Sequence, residues 1–326
     1  MRIAEIAEAT GQVDYVNTSI GVATASLFMI EASMHIPPGY ALFIPSAIRK
    51  AVELPVVGVG RFKDPLQAER ALAEGHCDLV GVVRGQIADA DFAAKARAGM
   101  TDEIRLCLSC NQECVGRMGL NRWLGCIENP RTGREARLAR RDRRDRADPA
   151  VQNGVDVLVV GAGPGGLQAA IAAARDGHRV TVVEREAQAG GQVRLAASVP
   201  NRAELGDMIR NQLNEARRHG VTIEYGVTAT AELVRQRHPD HVIVATGAEP
   251  QRPWWVNGDV TNCCDVRDVL EGRAHPTGSV IVLDEIGFHH ATSVAELLAD
   301  RGCSVEVITP GTVSYTHLTL PTNREV

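Results

Sequence analysis

The amino-acid sequence predicts an α/β chain made of parallel-sheet units in two stretches, with a cysteine-dense loop between them. Three observations point there. Short apolar runs alternate with helical patterns up to about residue 100, as strand–helix units in series do. Four cysteines, Cys107, Cys110, Cys114 and Cys126, then fall close together. From Val155 onward a strand, a glycine-rich turn and a helix follow one another.

A chain of 326 residues has room for about two domains. With 44% apolar and 23% charged residues the composition is that of a globular protein. A net charge of −5 gives no sign of a nucleic-acid or membrane partner. No apolar run reaches the roughly 18 residues a membrane span needs. The opening MRIAEIAEATGQ has no basic region followed by an apolar core, so it does not read as a secretory signal. A cytoplasmic protein is expected.

Residues 2–9 read as a helix already under way, 13–19 as a β-rich run and 43–52 as helical. Residues 54–59 (LPVVGV) form a short apolar strand of the kind a parallel sheet buries on both faces. Asp64 caps a helix with Pro65 at its first position, and Gly75 ends it. Residues 78–83 make the next buried strand, and 91–98 the next helix. About three units are too few to close an eight-strand barrel, so residues 1–100 read as the C-terminal part of a TIM barrel in a chain that is a fragment. Such a piece leaves open sheet edges.

Residues 101–130 carry the cysteines. Residues 131–153 are charged, nearly free of large apolar groups, and read as an exposed linker. Residues 154–312 read as an incomplete dinucleotide-binding domain. They offer a strand at VDVLVV, a helix at LQAAIAAARDG, a strand at HRVTVVE, an amphipathic helix over 203–219, strands at VTIEYG and HVIVATG, and a further strand–helix–strand unit from SVIVLDE to SVEVIT. The segment 313–326 fits none of this pattern, resembles translated sequencing adapter and is assigned no role.

The cysteine spacing is C-x2-C-x3-C-x11-C. Four thiolates on short spacings let a loop wrap an inorganic cluster, and the expectation is [4Fe–4S]. Structural zinc usually takes two C-x2-C knuckles or adds histidine, and no histidine lies between Cys107 and Cys126. Zinc and unligated thiols remain the alternatives. Cys77, Cys263, Cys264 and Cys303 read as buried small hydrophobes, the adjacent pair Cys263-Cys264 within a loop.

In Gly161-x-Gly163-x-x-Gly166 the first glycine permits the tight turn. The second lets backbone approach a pyrophosphate, and the third allows close packing of helix on strand. The helix N-terminus favours phosphate charge. Glu184 ends the next strand, where a carboxylate can accept ribose hydroxyls. Gly190-Gly191-Gln192 and the strand end Ala245-Thr246-Gly247 favour FAD or ADP over NAD.

In this order the motifs resemble the 2,4-dienoyl-CoA reductase and trimethylamine dehydrogenase family of NADH:flavin oxidoreductases, over residues 1 to about 312. The run CNQECVGRMGLNRWLGCIENPRTGRE resembles its mycofactocin-associated branch. The resemblance implies FMN in the barrel, with its phosphate at Gly60-Arg61 and Val83-Arg84. It also implies that Gly165, Glu184, Gln192, Arg202 and Val227 line the FAD or ADP site. Two departures stand out. The strands that carry the family's catalytic tyrosine or histidine are absent, so no catalytic residue is named; His35 and Tyr40, in a loop after the first strand, could edge the site but read first as surface or packing residues. Where reductase members carry a second glycine-rich turn for NAD(P)H, this chain has Asp284 and Glu285, whose charge opposes a pyrophosphate and leaves direct NAD(P)H use open. His289-His290 read as helix-entry residues.

The expected function is a flavin and iron–sulfur oxidoreductase acting on a small-molecule substrate. It is either an NAD(P)H-dependent ene reductase or an amine or alcohol dehydrogenase that hands electrons to a carrier protein. A non-enzymatic electron-transfer module and a zinc-ribbon interaction protein are the rival classes. No nucleic-acid or membrane partner is expected, and the oligomeric state is open, a homo-oligomer included.

Overall fold

A computed structural model describes residues 1–140, 154–251, 256, 260, 262–285 and 289–309. The segment 313–326 and most of the 131–153 stretch lie outside the described residues. The chain divides into two compact units, one over Met1–Glu135 and one beginning at Ala136.

In the first unit three strands, β1 (Val16–Asn17), β2 (Val56–Gly58) and β3 (Leu79–Val80), pair in parallel in that order. Val16 faces Val56, and Val57 faces Leu79. The helix Arg2–Ala9 precedes β1, and the helix Phe43–Arg49 precedes β2. Between β2 and β3 runs the helix Pro65–Ala73. Asp64 caps it by accepting from the Leu66 N–H, with Pro65 in the first turn, as the sequence requires. Gly75 follows at a φ of 75°. The strands are shorter than their apolar runs. The 78–83 run forms only two residues of ladder, and Leu79 is 52% exposed rather than buried. Among the described residues β3 is the last strand of its sheet, so Leu79 lacks a neighbouring strand on one flank. Ile3, Ile6, Phe43 and Leu66 are also exposed apolar side chains of this unit. Val56 is wholly buried, at the centre of a small core with Ala4 and Val52. A second cluster gathers Phe62, Ala71 and Cys77. Cys77 is a buried small hydrophobe as expected.

The second unit holds a four-stranded parallel sheet in the order β6-β5-β4-β7. The strands are β4 (Asp156–Val160), β5 (Arg179–Glu184), β6 (Thr222–Tyr225) and β7 (His241–Val244). The helices Pro164–Arg175 and Asp207–Arg218 pack with the sheet around Val159, Val182, Leu167 and Ala170, each under 1% exposed. A separate parallel pair, β8 (Ser279–Leu283) and β9 (Ser304–Ile308), is crossed by the helix His289–Asp300 over its own core of Val282, Val294 and Leu298. Cys303 packs at the edge of that core. Cys263 and Cys264 are exposed, which corrects the expectation that they are buried: they lie in the loop before the helix Val266–Leu270, outside either core. Among the described residues no helix is long and apolar enough to cross a membrane.

Candidate flavin, cluster and nucleotide sites

In a parallel sheet, ligands collect at the carboxyl ends of the strands. In the first unit these ends lead into Thr18-Ser19, Val59-Gly60-Arg61, Gly81 and Val83-Arg84, and all of them line one cavity of about 260 Å³. Arg61, Lys63 and Arg84 bring positive charge to its wall, and among the described residues no carboxylate lines it. Arg61 and Lys63 are buried, at 8% and 7% exposure, which suits a site for a buried anion. Gly60 is pressed against the loop opposite: a Cβ there would come within 3.2 Å of Gly39 Cα, and the Gly60 carbonyl accepts from the Gly39 N–H at 2.7 Å. Val83, at the entry to the helix Arg84–Ala88, lines the same cavity. All four positions named for the FMN phosphate therefore converge. Arg84 also bonds within the protein. Its Nη1 donates to the Ala32 carbonyl at 2.7 Å and to Asn111 Oδ1, tying the strand end to the cysteine loop. Tyr40 lines the cavity, and its hydroxyl donates to the Met29 carbonyl. His35 instead pairs with Ser33 through Nδ1.

The four cysteines surround a smaller hollow, together with Arg84, Ile87, Asn111 and Glu113. Cys107 lines both hollows. Left-handed backbone at Ser109 and Asn111 turns the loop sharply, so that amides point at the sulfurs. The Ser109 N–H donates to Cys107 Sγ at 3.3 Å. Amides of Gln112, Val115, and both Glu128 and Asn129 serve Cys110, Cys114 and Cys126 in turn. Burial pushes the Cys126 thiol up to about 11 and raises Cys110 and Cys114 as well, while these amides pull the other way. The Arg84 charge also lowers Cys114.

Among the described residues no set of three His, Cys, Asp or Glu side chains could hold a metal ion. One zinc would draw four sulfurs to about 3.8 Å of each other, given its bond length and tetrahedral shell. A four-iron cube gives each thiolate its own iron and stands them farther apart. The four sulfurs share one hollow, and each has a backbone amide donor.

In the second unit the turn after β4 enters the helix Pro164–Arg175, with Gly163 as its N-cap. The glycines divide as their roles require. A Cβ on Gly161 would strike the Ala245 carbonyl oxygen, and one on Gly166 the Gly161 carbonyl oxygen. Gly163 and Gly165 face open space, with nothing within 4 Å. Glu184 is 8% exposed at the end of β5. Its Oε2 accepts from the Ala162 N–H at 2.7 Å and its Oε1 from the Glu186 N–H at 2.9 Å. The carboxylate is thus fixed beside the turn. The Val227 N–H donates to the Glu184 carbonyl at 2.8 Å, and the Gly190 N–H to the Ala162 carbonyl at 2.9 Å. Gln192 Nε2 reaches the Ala248 carbonyl at 3.2 Å, past the Ala-Thr-Gly strand end. Arg202 is buried, and its Nε donates to Ser293 Oγ on the helix His289–Asp300. After β8, Asp284 is buried at 4% exposure, with its N–H on the Ile308 carbonyl. Burial lowers the nearby His290, opposed by the Asp284 charge.

Comparison with known proteins places these units. Residues 15–103 match the NADH:flavin oxidoreductase / NADH oxidase family, and residues 155–282 match the pyridine nucleotide-disulphide oxidoreductases. An NADH oxidase of Thermoanaerobacter brockii is 35% identical over 313 residues, covering 94% of this chain and 46% of the relative. An N,N-dimethylglycine/sarcosine dehydrogenase of Chromohalobacter salexigens is 34% identical, over 94% of this chain and 45% of its own. Among solved structures, a 2-naphthoyl-CoA reductase complex superposes with a TM-score of 0.81 at 30% identity, over 94% of this chain and 45% of that one. The chain spans about half the length of the curated relatives it matches.

Proposed function

The chain belongs to the flavin oxidoreductases that join an NADH:flavin oxidoreductase segment to a pyridine nucleotide-disulphide oxidoreductase segment, and from that premise we propose its role: to relay electrons between a substrate-reducing or substrate-oxidising FMN and a second nucleotide site. The observation that carries this reading is Cys107, which lines both the cationic hollow and the four-cysteine hollow. Bound FMN would exchange hydride with a small-molecule substrate, and a [4Fe–4S] cluster would move single electrons. Arg61, Lys63 and Arg84 hold the flavin phosphate by charge, and Gly60 lets backbone come close. Cys107, Cys110, Cys114 and Cys126 hold the cluster. Gly163 and the helix behind it receive the pyrophosphate of FAD or ADP, and Glu184 receives the ribose.

The direction of the reaction divides two readings. Ene reduction driven by NAD(P)H is the first. The second is oxidation of an amine or alcohol with electrons passed to a carrier protein, and the buried Asp284 after β8 favours it. A carboxylate at that turn repels the pyrophosphate of a second dinucleotide. Anaerobic mixing of the full-length protein with NADH separates them. Rapid bleaching of the flavin supports the reductase. Inertness to NADH, with bleaching by an amine, supports the carrier-linked dehydrogenase. A protein that takes up no flavin at all would sink both.

A further inference from the structure

Ser109 lines the cationic cavity of the first unit and bonds to Cys107, which lines both hollows. It is 1% exposed and holds a φ of 53°. A left-handed serine persists only where its surroundings hold it there. Its N–H donates to Cys107 Sγ at 3.3 Å, and its carbonyl accepts from the Met34 N–H at 3.0 Å. Its Oγ accepts from Arg61 Nη1 at 2.7 Å. The main chain of Ser109 therefore serves the cysteine loop, and its side chain serves the cationic cavity. Arg61 is 48 residues away in sequence, buried, and itself left-handed at a φ of 61°.

We propose that Ser109 is a positioning residue that couples occupancy of the two sites. A filled cysteine loop fixes the Ser109 main chain. Ser109 Oγ then fixes Arg61 against the flavin phosphate. Without the cluster, the loop loses the tether among its four thiols, and the acceptor for Arg61 loosens with it. Linkage makes the effect reciprocal: bound FMN tightens the hold on the cluster by the same factor. This inference rests on the flavin and iron–sulfur reading above.

The test uses full-length protein and two binding measurements. Dissociation constants for FMN are taken by flavin fluorescence, on cluster-loaded protein and on protein stripped anaerobically by chelator. Wild type and Ser109→Gly are compared. Glycine accepts the same φ without strain and keeps the N–H to Cys107, so only the hydroxyl is lost. Stripping should weaken FMN binding to wild type about tenfold, a usual size for coupling between sites. Loaded Ser109→Gly should already bind about tenfold more weakly, the scale of a lost charged hydrogen bond, and stripping should add less than about twofold. Iron content equal to wild type shows that the variant loop is intact. As a second readout on wild type alone, saturating FMN should slow iron loss to chelator. The inference is overturned if Ser109→Gly keeps the wild-type stripping ratio, or if FMN leaves iron loss unchanged. Protein that carries FMN and iron but shows neither effect removes the coupling and leaves the function standing. Protein with neither group removes both.

Discussion

Two glycines of one turn should fail in opposite ways when each gains a methyl group. At Gly166 a Cβ would run into the Gly161 carbonyl oxygen, which is backbone and cannot swing aside. Overpacking of this kind costs about 1–3 kcal/mol. In a unit of this size each kcal/mol moves the melting midpoint by about 2–4 °C, so Gly166→Ala should melt several degrees lower whether or not a nucleotide is present. At Gly163 nothing lies within 4 Å of the Cβ position, and its φ of −72° suits alanine. Gly163→Ala should therefore keep its melting midpoint, apart from a small capping loss of a few tenths of a kcal/mol. Its methyl group instead occupies the space where a pyrophosphate meets the helix N-terminus. Loss of one charge-assisted hydrogen bond there corresponds to about 10- to 150-fold weaker FAD binding. Circular-dichroism melts of the nucleotide-free protein and FAD titration by fluorescence measure the two effects. If Gly163→Ala lowers the melt as far as Gly166→Ala, or binds FAD as tightly as wild type, the division of roles between these glycines is wrong.

Other expectations follow from single contacts. Glu184→Gln should destabilise the second unit by about 1–3 kcal/mol in thermal melts, because one amide oxygen cannot serve both the Ala162 and Glu186 N–H groups; an unchanged melt contradicts it. Asp78 is held below the usual carboxylate range by the Val56 N–H and then by Arg49, so its stabilising contribution is complete above the ordinary carboxylate value and fades as pH falls through the lowered one. Hydrogen exchange at the Val56 amide should accelerate over that acid range in wild type and show no such step in Asp78→Asn. The thiols of Cys110, Cys114 and Cys126 lie above the ordinary range without a metal, so each releases a proton on ligation. Chelator competition should then show metal affinity rising with pH above neutrality, and a flat profile would count against four ligating thiols.

Local signals carried the parts of the fold that local chemistry decides. Asp64-Pro65 caps and starts its helix as read from the sequence, and the β4–turn–helix–β5 order places Glu184 beside the glycine turn. Other parts depend on partners that sequence spacing does not reveal. Leu79 reads as buried because it is apolar, but at the sheet edge it has no cover. The short helix Ala231–Arg237 has too few residues to show a helical apolar period between its two strands, although Thr230 caps it by accepting from the Leu233 N–H. Cys263 and Cys264 sit in a loop, as their place in the sequence suggests, but are exposed there rather than buried as their type suggests. In the candidate sites the cysteine spacing and the glycine turn were legible. The roles of Lys63 and Ser109 were not, because each arises from contacts between distant segments. The one advance hint of Ser109 was its place inside the C-x2-C turn, where tight turns call for left-handed backbone.

Metal analysis of the full-length protein purified without oxygen bears most directly on the four-cysteine hollow. About four irons and a matching amount of acid-labile sulfide per chain are expected, lost together when Cys110 is replaced by serine. One zinc per chain, or no metal with all four thiols free to alkylate, would contradict the assignment.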